Sequence, residues 1–209
     1  MLKRQFQFPV ITKDIRNVSP DELFKASGIK SNELDVLDMS PVCCGFSRAG
    51  KQEHDDERNF LFKEGVRILR ALNPKAFIME NVPQMMIPKF KDIFDDVKNA
   101  FIESGYNLSY KVVSAQDFGV PTTRKRIFIV GIRTDIGKTF VFPESRFEKI
   151  PVKDILETLK VYPKLTPKYS EYWDKAGYGK SIGKQGSERK LNPENPSFTL
   201  LCKSDTYHP

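Results

Sequence analysis

Leu34-Asp35-Val36-Leu37-Asp38-Met39 runs without interruption into Ser40-Pro41-Val42-Cys43-Cys44-Gly45. The first six residues make a compact strand candidate. The Pro and the Gly that flank the two cysteines predict a loop at that strand's carboxyl end, which is where α/β folds place their ligands. Downstream, Phe60, Leu61, Val66, Ile68, Leu69 and Leu72 recur with a helical period from Glu57 to Leu72, and Asn73-Pro74 stops the run. Ala76-Phe77-Ile78-Met79 then reads as a short buried strand ending on Glu80-Asn81-Val82-Pro83. A second amphipathic helix is expected from Lys91 to Ser104, closed by Gly105. Later strands are expected at Tyr110–Val113 and Arg126–Gly131, joined by a loop holding Gly119 and Pro121. Upstream, Ser19, Pro20 and Glu22 form a helix-start signal after a segment ending at Asp14-Ile15. Alternating strands and helices predict an α/β domain with a mainly parallel sheet.

After about residue 145 the periodicity weakens. One helix is expected at Val152–Leu159, and residues 160–197 are rich in Pro, Gly, Ser, Lys and Tyr. A boundary near 160 therefore divides the chain into a first part, 1–159, and a second region, 160–209.

Composition narrows the class. Of 209 residues, 39% are hydrophobic and 11% aromatic, ordinary for a globular protein. No apolar run approaches a membrane span, and MLKRQFQFPVITKD lacks the apolar core of a signal peptide, so a cytoplasmic protein without a membrane partner is expected. Three cysteines, two of them adjacent, make no disulfide framework. With no CxxC pair and only His54 and His208, no metal site is expected. The net charge is +7. Residues 1–100 hold 16 Lys/Arg against 15 Asp/Glu, and 101–209 hold 18 against 12, so the basic excess lies in the second half. Such an excess suits a polyanion, since phosphate contacts supply most non-specific nucleic-acid affinity, and it equally suits a solvated basic surface.

Three polar clusters follow predicted strands: Cys43 in SPVCCGFS, Glu80 in MENVP, and Arg124 with Arg126 in FGVPTTRKR. A thiol, a carboxylate and two guanidiniums at the ligand edge of a sheet allow thiolate attack on an electron-poor centre, with an acid and fixed positive charge stabilising the product. A nearby arginine also favours the thiolate.

Pro41-Val42-Cys43-Cys44-Gly45-Phe46-Ser47 resembles the PPCQGFS nucleophile loop of the cytosine carbon-5 DNA methyltransferases. The stretch DERNFLFKEGVRILRALNPKAFIMENV resembles the family's segment leading to its ENV motif, and Thr122-Thr123-Arg124-Lys125-Arg126 resembles its QxRxR element. Asp14-Ile15 is similar to the family's short acidic element on the adenine side of the cofactor, and Thr199-Leu200 to a Thr-Leu pair of its target-recognition region. The likeness is close over about residues 8–145 and looser over 146–209. It implies a Rossmann-like S-adenosylmethionine-dependent methyltransferase sheet with helices on both faces, and the start of a smaller target-recognition region.

The resemblance also implies a mechanism. A cytosine flipped out of duplex DNA is attacked at carbon 6 by Cys43. Glu80 holds its Watson–Crick edge, Arg126 donates to its carbonyl oxygen, and Arg124 positions the Cys43 loop. S-adenosylmethionine is the implied cofactor, with Asp14, Ile15, the Val42 backbone and Leu61 lining part of its site. Ser47 and Thr199 are implied DNA contacts. Departures are Val42 for the second Pro, Cys44 for the Gln of the loop, and Thr122 for the Gln of QxRxR. The family's glycine-rich FxGxG loop and its last two motifs have no counterpart here. The chain is therefore expected to be a fragment, or one subunit of a split enzyme completed by a complementary subunit, and inactive alone. A cognate restriction endonuclease is a further implied partner. The alternatives are a tRNA cytosine methyltransferase and a catalytically inactive DNA-binding relic.

Overall fold

The computed structural model describes residues 9–42, 45–46, 53–145, 147–156, 181–182, 188–189, 192 and 194–197. Two compact units emerge: Met1–Val112 with Arg126–Pro143, and Val113–Lys125 with Glu144–Pro209. The boundary expected near residue 160 falls outside the described residues.

The first unit begins with helix α1 (Pro20–Ser27), capped as the sequence predicts: Ser19 Oγ accepts from the Glu22 N–H at 3.2 Å, and Gly28 ends the helix at φ 71°. Strand β1 (Val36–Met39) follows. The helical stretch predicted from Glu57 is split, with a 3-10 turn at Glu57–Phe60 preceding helix α2 (Phe62–Leu72). Asn73, at φ 46°, closes α2 by donating its N–H to Leu69 O at 2.8 Å. Strand β2 (Ala76–Asn81), helix α3 (Lys91–Glu103), strand β3 (Tyr106–Ser114) and strand β4 (Lys125–Arg133) complete the order.

The four strands form one sheet in the order β1-β2-β4-β3. β1 and β2 are parallel, with Val36 opposite Ala76 and Met39 opposite Met79, and α2 is the crossover between them. β4 runs antiparallel to β2, pairing Ala76 with Ile132 and Asn81 with Ile127. The sheet is therefore mixed rather than mainly parallel. Apolar runs report burial but not strand direction, and the expectation of a mainly parallel sheet is corrected on that ground.

Register decides which side chains reach the core. Phe77, Met79 and Asn81 lie on one face of β2, opposite Gly131, Ile129 and Ile127 of β4. This face packs against Phe62, Val66 and Leu69 of α2 and Ile93, Phe94, Val97 and Phe101 of α3. Phe77 is fully buried, with the Phe101 ring stacked on it at 4.4 Å and Tyr106 edge-on at 5.3 Å. Gly131 is required beneath that ring, because a Cβ there would lie 2.1 Å from Phe77 Cε1. Tyr106 is anchored by donating to Pro74 O at 2.7 Å, and burial pushes its hydroxyl pKa up to about 12.

The second unit begins with the turn Ala115–Phe118, closed by Gly119 at φ 75°. Thr122 bridges Ser197, with Thr123 donating to Ser197 O and Ser197 to Pro121 O. Helix α4 (Lys153–Leu156) takes up the start of the helix predicted at Val152–Leu159, and Lys153 pairs with Glu194 at 2.7 Å. Strands β5 (Ser181–Ile182) and β6 (Glu188–Arg189) form a two-stranded antiparallel sheet. Among the described residues, no helix is long and apolar enough to cross a membrane.

Candidate active site at the end of the sheet

Three chain segments meet at one end of the first unit's sheet. β1 ends at Met39, β2 ends at Glu80-Asn81, and antiparallel β4 enters at Lys125-Arg126. The segment carrying Cys43 leaves β1 at this end. It is tied there by Asn81, whose Nδ2 reaches Pro41 O at 3.5 Å while its Oδ1 accepts from the Val82 N–H at 2.8 Å. Asn81 is buried. The sequence signal for Asn81 is its place in the Glu80-Asn81-Val82 motif at the strand's end.

Glu80 alternates away from the Phe77/Met79 core face, and Arg126 shares its side because Glu80 is opposite Phe128. Their side chains form an ion pair, Arg126 Nε to Glu80 Oε1 at 2.6 Å, with 20% and 28% of the side chains exposed. This acceptor and donor, side by side and half-buried, are the two groups for which the resemblance implies contacts to a base edge. Arg124 belongs to the second unit. It is exposed, its carbonyl accepts from the Ala115 N–H at 2.9 Å, and its N–H lies 3.4 Å from Thr122 Oγ1. Cys43, Ser47 and Thr199 lie outside the described residues.

Of the expected cofactor residues, Ile15 is tied to α2 through Arg67, and Val42 lines a small cleft with Phe62 at the start of that helix. Asp14 caps the turn Ile15–Asn17, and the Arg16 guanidinium grips its carboxylate through Nε at 3.0 Å and Nη2 at 2.6 Å. That side-chain hydrogen bonding, helped by the Arg16 N–H, lowers the Asp14 carboxyl to about 2. Arg67 of α2 fastens the segment by donating to Ile15 O at 2.9 Å and Val18 O at 2.8 Å, while its Nε pairs with Glu64 at 2.7 Å. Leu61 stands at the head of the same helix. Ile15 is 38% exposed and Val42 48%. An ionised acceptor beside the exposed Ile15 side chain suits the exocyclic amine and flat face of a purine, the chemistry that the adenosine end of S-adenosylmethionine presents.

Two further residues went unnoticed in the sequence. His54 stacks on Phe90 at 6.0 Å and bridges Asp92 through Nε2 at 2.8 Å and Asp55 through Nδ1 at 3.0 Å, and these bonds raise its pKa. Asn59 is buried beside Gly45. An isolated Asn or His carries no motif, and only its partners reveal its place.

A family model for C-5 cytosine-specific DNA methylases matches residues 1–195. The type II methyltransferase M.XorII of Xanthomonas oryzae pv. oryzae is 32% identical over 181 residues, covering 84% of this chain and 42% of that protein. M.AquIA of Picosynechococcus, another type II methyltransferase, is 39% identical over 145 residues, covering 65% and 58%. Among solved structures, a prophage-encoded E. coli protein described as a DNA modification methyltransferase superimposes with a TM-score of 0.71 at 22% identity, over 91% of this chain and 68% of that one. The Entamoeba histolytica methyltransferase EhMeth gives 0.53 at 20% identity, over 80% and 49%. These structural likenesses establish a shared α/β fold. The chain spans about half the length of the two curated relatives.

Proposed function

We propose, for a chain that belongs to the C-5 cytosine-specific DNA methylase family, that it carries the base-attacking half of a DNA cytosine-5 methyltransferase, with Cys43 as the nucleophile. The observation that carries this reading is the Arg126–Glu80 pair at the sheet end from which the Cys43 segment departs. Cytosine presents an amine donor, a ring-nitrogen acceptor and a carbonyl acceptor along one edge. Glu80 accepts from the amine and from ring nitrogen 3 once that is protonated, and Arg126 donates to the carbonyl oxygen. Both contacts strengthen as charge moves into the ring, so they favour the adduct over the free base.

The base must leave the stack for carbon 6 to be reached. The Cys43 thiolate then forms a sulfur–carbon 6 bond, and the displaced electron pair makes carbon 5 nucleophilic. S-adenosylmethionine, when bound, supplies an electrophilic methyl group. Loss of the carbon 5 proton returns the electron pair to the ring and expels the Cys43 thiolate. Asp14, Ile15, Val42 and Leu61 would hold the cofactor's adenosine end, and Arg124, Ser47 and Thr199 would contact the DNA. Residues 160–209 are read as target recognition.

The type II names of the relatives support a restriction–modification setting, a cognate endonuclease and a cytoplasmic location. β1 lies at the edge of the described sheet with Val36 half exposed. A complementary polypeptide that pairs along β1 would complete the cofactor site. The test is labelled-methyl transfer with duplex DNA and tRNA as competing substrates, by the chain alone and with its complement. Transfer to DNA by the completed enzyme, falling by about 100-fold or more in Glu80→Gln, is the expected result. Preferential methylation of tRNA, or an undiminished Glu80→Gln, contradicts the reading.

A further inference from the structure

Asn59 is 2% exposed and sits in the Glu57–Phe60 turn, yet its amide is not used within that turn. Nδ2 donates to Glu53 O at 2.9 Å and to His54 O at 3.0 Å. Oδ1 is buried with no hydrogen-bond partner. A Cβ on Gly45 would fall 2.0 Å from that oxygen and 2.6 Å from Asn59 Cγ, so the amide lies against the Gly45 backbone. One side chain therefore touches the residue two places after Cys43 and the two residues that follow the stretch 47–52.

An unpaired buried oxygen destabilises, and an apolar side chain of similar volume would fill the same space without it. Packing alone does not account for an amide here. The surroundings hold the same two ends. Phe46 meets the Phe90 ring edge-on at 5.1 Å, and the His54 ring stacks on Phe90 at 6.0 Å. His54 is braced further by Asp92 of α3 at 2.8 Å.

The geometry points to Asn59 as a positioning residue that clasps Gly45 to Glu53 and His54 and so fixes both ends of the stretch that follows the nucleophile. It touches neither base nor cofactor, and its importance for the reaction rests on the reading of Cys43 as nucleophile. A Cβ at Gly45 and loss of the amide at Asn59 are two routes to the same release.

The test compares wild type, Asn59→Leu and Asn59→Asp. Leu keeps the volume and drops the donors, and Asp keeps the shape but turns an acceptor toward two carbonyls. Tryptic cleavage at Arg48 and Lys51, followed peptide by peptide, reports the segment, and cleavage at Lys98 in α3 reports the rest of the unit. Cleavage at Arg48 and Lys51 is expected to rise by about tenfold or more in at least one variant while Lys98 stays within about twofold. In the DNA-competent enzyme, the rate of adduct formation on 5-fluorocytosine duplex should fall by about tenfold, with the KM for S-adenosylmethionine within about twofold. Unchanged cleavage at Arg48 and Lys51, or an equal rise at Lys98 in both variants, overturns the clasp. So does a loss of cofactor affinity equal to the loss of rate. If wild type forms no adduct while the cleavage contrast holds, the clasp stands and the nucleophile reading fails.

Discussion

Replacing Gly131 with Ala adds a single methyl group, and the structure indicates what it meets. The new Cβ would sit 2.1 Å from Phe77 Cε1, 2.7 Å from Cδ1 and 2.8 Å from Cζ. Phe77 has no room to yield, because Phe101 stacks on it at 4.4 Å, Tyr106 abuts it at 5.3 Å, and the ring is fully buried. Overpacking of this kind costs about 1–3 kcal/mol, and the usual gain from removing a strand glycine offsets about 0.5–1 kcal/mol of it. With the ring locked on both sides the upper part of the range applies, leaving a net loss of about 2 kcal/mol. For a chain of this size that lowers the midpoint by about 4–8 °C. Urea unfolding followed by circular dichroism measures it. Phe77→Leu in the same chain makes the attribution specific, since the double variant should recover about 1 kcal/mol relative to the sum of the singles. A Gly131→Ala chain within about 0.5 kcal/mol of wild type, or strict additivity with Phe77→Leu, would refute the packing described for β2 and β4.

Arg67→Ala should release the Asp14–Val18 segment, whose two carbonyls it binds, and raise the Kd for S-adenosylmethionine by about tenfold; calorimetry with the completed enzyme checks this, and an unchanged Kd separates the segment from the cofactor site. His54 has a folded pKa above its unfolded value of 6.5, so its contribution to stability is full below about pH 6.5 and is lost as pH rises through the folded pKa. Asp92, lowered by His54, loses its contribution only as pH falls through its own folded pKa. Stability should therefore decline above about pH 6.5, and His54→Gln should flatten that decline; equal slopes in the two proteins would remove the bridge from the account.

Much of the first unit was legible because its sequence obeys simple rules. Ser19-Pro20 with Glu22 marked α1, the 3.6-residue period marked α2 and α3, and short apolar runs marked β1, β2 and β4. Strand direction was not legible. Ile127 and Ile129 pack equally well in a parallel or an antiparallel neighbour, and only the register with Met79 and Asn81 settles β4. The resemblance implied separate base contacts for Glu80 and Arg126 but no pairing between them; the sheet supplies it, because alternation puts both on one side at one end. Asn59 and His54 were illegible because each acts through backbone carbonyls or ring and carboxylate partners that no sequence pattern marks. Arg124 was named in the sequence, but it is carried by the second unit.

The most direct measurement is peptide mapping of the covalent complex between the completed enzyme, S-adenosylmethionine and duplex DNA containing 5-fluorocytosine. One adduct is expected, on Cys43, absent in Cys43→Ser and retained in Cys44→Ser. An adduct on Cys44, or methyl transfer to cytosine by an enzyme whose Cys43→Ser variant is unimpaired, would contradict it.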